Sequence, residues 1–226
     1  MLHQKAYRET SLILDVLTQD YGRIGVLAKG AKRPKSPFRG RLQPFVCNLL
    51  NWSGKGQLKT LTAVDTLTHI NLQGTQLYCG MYLNELVVRL TQPDDQHEAL
   101  FASYQSAVLN LMSELPVEVT LRVFEKQLLR QLGYGLLLDV EYHTGTPVEP
   151  NLWYQYIVSK GPVRSQVVND EGLRIQGKAL MALEGESFSE PDSLSQCKYL
   201  MRYILDVYLG HEPLNSRALF QTISTR

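Results

Sequence analysis

The sequence predicts an α+β protein of more than one domain: an N-terminal five-stranded β-barrel of the OB type, then an all-α bundle with a small β or irregular insertion. Three observations lead there. Up to about residue 65, short runs rich in Leu, Ile and Val alternate with turn residues. From Gln76 the apolar residues recur at helical spacings instead. The charge changes sign near the same point, with eleven Lys and Arg against four Asp and Glu through Thr75, and twelve against eighteen beyond it. The whole chain carries only +1, so that average hides two parts suited to different partners.

The strands come in order. Residues before Tyr7 supply a first strand; residues 11–17 and 23–29 flank Thr18-Gln19-Asp20-Tyr21-Gly22, which has hairpin turn chemistry. Residues 44–52 and 57–64 repeat the pattern around Ser53-Gly54-Lys55-Gly56. Five strands in about 65 residues fit an OB barrel over residues 1–75, and an SH3-like barrel would give nearly the same string. The helical domain covers 76–226, interrupted at 136–172. A first helix from Gln76 stops at Pro93, and a second covers 96–112. In the third, Pro116 suits the first turn, Val117, Leu121, Phe124, Leu128 and Leu132 make one stripe, and Gly133 is a natural C′ residue. Between 135 and 172 the period lapses around Trp153-Tyr154-Gln155-Tyr156-Ile157-Val158, as a hairpin or irregular insertion would. Helices resume at 176–183 and run from Asp192, an N-cap candidate after Pro191, to Leu209, with a last short one over 216–223.

Composition narrows the functions. An apolar fraction of 44% suffices for a globular core, and no apolar run approaches the ~18 residues of a membrane span. Arg8 and Glu9 stand where a secretory apolar region would lie, so the expectation is a cytoplasmic protein with no membrane partner. Cys47, Cys79 and Cys197 form no CxxC pair and read as reduced thiols. Catalytic motifs are missing: Gly54-Lys55-Gly56 is no phosphate loop, and Phe101 stands where an HExxH motif beginning at His97-Glu98 needs its second histidine. No GxSxG or GxGxxG occurs, and the five histidines are scattered. We therefore expect no enzyme, no cofactor, no metal and no small-molecule substrate.

The informative stretch is Lys29-Gly30-Ala31-Lys32-Arg33-Pro34-Lys35-Ser36-Pro37-Phe38-Arg39-Gly40-Arg41, with six cations and no anion. Its charges repel, and its prolines and glycines favour an extended, mobile segment. A polyanion relieves the repulsion, since Lys and Arg bind nucleic acid by displacing condensed counterions. The alternative is a solvated loop. Tyr21, Phe38, Phe45 and Trp52 lie nearby, and stacking on an aromatic ring contributes about 1–3 kcal/mol per base. Phe45 and Trp52 could equally be core; their odd separation puts them on opposite faces of any regular strand, and Trp52 beside the turn is the preferred stacker. The expected DNA-binding set is Lys29, Lys32, Arg33, Lys35, Arg39, Arg41, Trp52, Lys55 and Lys59.

Several blocks resemble, in order and spacing, the RecO family of bacterial recombination mediators: Glu9-Thr10-Ser11, Gly22-Arg23, Ala28-Lys29-Gly30-Ala31-Lys32-Arg33, Gly40-Arg41-Leu42-Gln43-Pro44-Phe45, Leu58-Lys59-Thr60-Leu61 and Tyr82-Leu83-Asn84-Glu85-Leu86. Leu121-Arg122-Val123-Phe124-Glu125, Leu132-Gly133-Tyr134-Gly135 and Ser216-Arg217-Ala218-Leu219-Phe220 extend the match towards the C-terminus. The resemblance implies a DNA repair protein without bond chemistry, nucleoid-associated during repair, that binds single- and double-stranded DNA and anneals complementary strands. Those strands include ones coated by single-stranded DNA-binding protein (SSB), and with RecR such proteins help load RecA at gaps. It also implies a contact to the acidic, phenylalanine-terminated SSB tail, which needs a cation beside an apolar pocket. That contact would fall on Leu121, Arg122, Phe124 and Leu128, with Arg130 and Arg217 as further candidates. Two departures stand out: residues 141–170 hold no cysteine where many members bind zinc, and the family usually begins several residues before the point matching Leu2, so part of the first strand is expected to be missing. An RNA-binding OB protein, an SSB-tail adaptor without annealing activity and a hidden hydrolase remain as alternatives.

Overall fold

The computed structural model describes residues 1–164 and 172–218. They form two compact units, Met1–Glu114 with 214–218, and Leu115–Pro213. The first unit begins with β1 (His3–Tyr7), β2 (Ser11–Thr18), β3 (Gly22–Ala28), β4 (Val46–Ser53) and β5 (Leu58–His69). Each expected strand is present. β3 shows why: Gly22, Ile24, Val26 and Ala28 are buried while the residues between them are half-buried, the two-residue period of a strand on a core. The strand order is β1-β2-β3-β5-β4, with β3 and β5 parallel and the other neighbours antiparallel. No pairing joins β1 to β4 among the described residues, so the expected barrel is an unclosed five-stranded sheet.

β5 runs on to His69, past the expected end at residue 64, because Val46 to Leu49 of β4 continue to pair with it. Register shifts at Cys47/Asn48 and Asn51/Trp52 interrupt that pairing. Phe45 precedes β4 with a left-handed φ of 62° and is buried, so it and Trp52 do not share one regular strand. A Cβ on Gly80 would lie 2.6 Å from the Phe45 ring, so only glycine there admits it.

Two helices complete the unit, α1 (Gly74–Leu90) and α2 (Glu98–Asn110). The change of period near residue 75 therefore marks a strand-to-helix junction inside one unit. Asn84 ties α1 to α2 and to the residue before β1: its Nδ2 donates to Leu2 O at 3.0 Å, and its Oδ1 accepts the Tyr104 hydroxyl at 2.6 Å. Glu85 accepts the N–H groups of Asn215 and Ser216, both at 2.8 Å, and the Ser216 hydroxyl at 2.5 Å. Burial opposes its charge, but these donors outweigh burial and hold the carboxyl below its usual range. Residues 215–218 are helical, and the rest of the helix expected to 223 lies outside the described residues.

The second unit holds α3 (Val117–Gln131), β6 (Trp153–Ile157), β7 (Gly161–Arg164), β8 (Leu173–Gln176), α4 (Gly177–Glu184) and α5 (Pro191–Tyr208). The hairpin around Trp153 is β6 and β7, and β8 completes an antiparallel sheet in the order β7-β6-β8. That third strand is too short for a sequence period to mark. At the end of α3, Gly133 has φ 82°, its N–H donates to Arg130 O, and that of Tyr134 donates to Leu129 O. This is a Schellman C-cap. At the start of α5, Glu190 rather than Asp192 is the N-cap, because Pro191 sits at N1, where its fixed φ suits a helix. Asp192 instead accepts from Gln196 Nε2 one turn on, at 2.8 Å.

Candidate nucleic-acid interface

The basic loop leaves the end of β3 and returns at β4. Lys29, Lys32, Arg33, Lys35, Arg39 and Arg41 are all exposed. Among the described residues, none of the six is paired with a carboxylate. Exposure makes this tolerable, since two like charges 4 Å apart repel by only about 1 kcal/mol in water.

The segment is not extended as its prolines and glycines led us to expect. The N–H groups of Ala31, Arg33, Ser36, Arg39 and Arg41 each donate to the carbonyl three residues back, giving a succession of tight turns. Ala31, Phe38 and Leu42 point inward and join Leu14, Val16, Ile24, Val26, Leu61 and Val64 in one buried cluster. Apolar burial thus fixes the backbone while the cations between those three residues are left in water. Polar contacts add to it: Arg41 Nη1 donates to Val64 O at 2.7 Å, and Asn48 Nδ2 to Arg41 O at 3.0 Å. Gly30 N–H donates to Ser11 Oγ and Lys32 N–H to Thr10 O, tying the loop to the β1–β2 turn.

The other expected contacts divide. Lys55 is exposed in the β4–β5 turn. Lys59 is largely covered and ion-paired with Asp94, so its charge is already matched. Phe38 and Phe45 are core residues and offer no face for stacking. Trp52 is half-buried against the same cluster, with Tyr21 edge-on at 5.1 Å and 86° between planes. Tyr21 is the more open ring of that pair, 51% exposed.

A second correction concerns α3. Arg122 is only 4% exposed and its Nη2 is paired with Glu125, which is fully buried. Phe124 and Leu128 are core, Leu121 is half-buried and Arg130 is exposed. Arg217 belongs to the other unit, half-buried with its guanidinium 6.0 Å from the Tyr82 ring centre. Arg122, the arginine expected to hold the tail beside an apolar pocket, is therefore covered and turned to Glu125. A helical stripe locates the buried face of α3 but not a buried ion pair on it. Lys126, also buried, donates to Leu183 O and Glu184 O at 3.0 and 2.7 Å, where a cation suits the C-terminus of α4.

Cys197 donates to Ala179 O, and burial pushes its thiol up to about 12 despite the nearby Arg122 charge, so it is not a nucleophile. Among the described residues no group of three or more His, Cys, Asp or Glu side chains could hold a metal ion, and no helix is long and apolar enough to cross a membrane. In the insertion, Glu141 accepts from the N–H and hydroxyl of Thr144 and the N–H of Arg164. Burial would raise its pKa, but the Thr144 hydroxyl and the N–H groups of Thr144, Arg164 and His143 prevail and bring it down to about 2.

Comparison with known proteins places almost the whole chain in one family. Residues 1–70 match the family model described as Recombination protein O N terminal, and residues 72–218 the one described as Recombination protein O C terminal. The DNA repair protein RecO of Nitrosococcus oceani is 42% identical over 224 residues, 99% of this chain and 91% of that protein. That of Nitrosospira multiformis is 43% identical over 223 residues, 98% and 92% of the two chains, and that of Coxiella burnetii is 42% identical over 221 residues, 97% and 94%.

Proposed function

The chain belongs to the Recombination protein O family, and from that premise we propose that it is a DNA repair and recombination mediator that binds single- and double-stranded DNA and anneals complementary strands without bond chemistry. One observation carries the reading: six exposed cations with no carboxylate partner among the described residues, on a loop whose backbone is pinned into the core by Ala31, Phe38 and Leu42. A cationic surface held in one shape lowers the repulsion between two phosphate backbones, and base pairing supplies the driving force. In this reading the five strands are a partly open OB-type sheet, a fold that binds oligonucleotides through one face and its loops.

The family premise extends the proposal to SSB-coated strands, RecR and RecA loading. Arg130, exposed in the last turn of α3, is the expected α3 cation open to an acidic tail. The test is annealing of complementary oligonucleotides, bare and SSB-coated, by the chain and by the triple variant Lys32→Glu, Arg33→Glu, Lys35→Glu. The chain should accelerate both reactions and the triple variant neither. Acceleration by the variant equal to the parent's would remove the loop from the mechanism. Competition with RNA of equal length separates DNA from RNA binding, since recognition of the 2′-hydroxyl favours RNA.

A further inference from the structure

Residues 7–11, which turn β1 into β2, and Leu27, Lys29, Gly30 and Arg33, where β3 leads into the basic loop, line one cleft of about 510 Å³. Its walls carry three cations, Arg8, Lys29 and Arg33, and one carboxylate, Glu9. The two sides are fastened by the Gly30 N–H to Ser11 Oγ bond at 3.3 Å and the Lys32 N–H to Thr10 O bond at 2.8 Å. Among the described residues none of the three cations is ion-paired, and Arg8 holds its guanidinium over the Tyr7 ring, 5.4 Å from its centre.

Arg8 also has a φ of 50°. Glycine or asparagine suits that left-handed turn position better than a long side chain does. Backbone strain of this kind is a pointer to function. A cleft with an excess of cations and the hydroxyls of Thr10 and Ser11 has the chemistry of a phosphate seat. Lys29 and Arg33 belong both to the cleft and to the loop, so a strand lying on the loop passes its mouth.

We propose that this cleft seats a backbone phosphate of the bound strand, with Arg8 as a contact residue, so that the interface extends from the loop onto the β1–β2 turn. The proposal rests on the nucleic-acid reading above. The experiment measures binding of a labelled single-stranded oligonucleotide by anisotropy across a salt series, for the full chain, Arg8→Gly, Arg8→Lys and the triple loop variant.

Arg8→Gly should melt no lower than the parent, since glycine accepts the turn, yet bind about fivefold more weakly in about 0.1 M salt, with a log-affinity slope shallower by about 0.7, the share of one phosphate. Arg8→Lys should keep the slope. Parental slope and affinity in Arg8→Gly, with the triple variant weakened, would overturn the proposal and leave the loop reading standing. If the triple variant also binds like the parent, the nucleic-acid reading itself fails. Inorganic phosphate should displace the strand from the parent more than chloride does at equal ionic strength, and this excess should vanish in Arg8→Gly; an excess unchanged in Arg8→Gly would place the phosphate contact outside the cleft and overturn the proposal.

Discussion

Arg122 and Glu141 show how a charge inside this protein is held, each by a different means. Arg122 and Glu125 lie one turn apart on α3 and are both buried, so their attraction acts in a medium that screens it little. Removing one partner leaves the other charge buried, and Arg122→Ala should cost about 3–5 kcal/mol in urea unfolding. The double variant Arg122→Leu, Glu125→Leu should recover most of that loss, because matched apolar residues replace a buried pair at little cost. A single variant as stable as the parent would contradict the burial of the pair. Glu141 is held by donors rather than by a cation, with a folded pKa of about 2 against an ordinary 4.5. A depressed acid contributes stability above its unfolded pKa and loses it as the pH falls through the folded one. The difference in melting temperature between the chain and Glu141→Gln should therefore be full above about pH 4.5 and close as the pH falls towards 2. A difference that is the same at about pH 6 and about pH 3 would show that the hydrogen bonds do not favour the ionised form.

At the scale of elements, the basic loop depends on a residue that carries no charge. Phe38 is 8% exposed and lies in the cluster under the sheet, between the cations at 35 and 39. Phe38→Ala should destabilise the first unit by about 3 kcal/mol, the lower end for a buried phenylalanine. It should also weaken strand binding with every cation still in place, because their positions depend on where the ring anchors the chain. Calorimetry and anisotropy on the same variant check both, and unchanged binding would mean that charge alone, not its arrangement, matters. Turn chemistry is as demanding. A Cβ on Gly22 would stand 1.7 Å from Asp95 O, so the β2–β3 turn and residues 93–95 meet only because that residue is glycine, and its φ of 63° needs glycine as well.

At the scale of the whole molecule, the net charge of +1 predicts no affinity for a polyanion, whereas its distribution predicts salt-sensitive binding. Reversal of Lys32, Arg33 and Lys35 together should flatten the log-affinity against log-salt slope by about two, at about 0.7 per phosphate on a single strand. An unchanged slope would place those residues outside the interface. Sequence alone determined the five N-terminal strands, the main helix-forming segments, the Gly133 cap and the cationic run, because each rests on a local period or a local charge count. It also determined the family, through motifs at fixed spacing. Tertiary structure decided the rest. Whether Phe38 stacks on a base or fills a core, whether Lys59 is open or matched by Asp94, and whether Arg122 faces solvent or Glu125 all depend on partners brought together by folding. So did the unclosed sheet and the meeting of Arg8 with Lys29 and Arg33, since strand pairing and burial are set by residues distant in the chain, where no sequence period reaches.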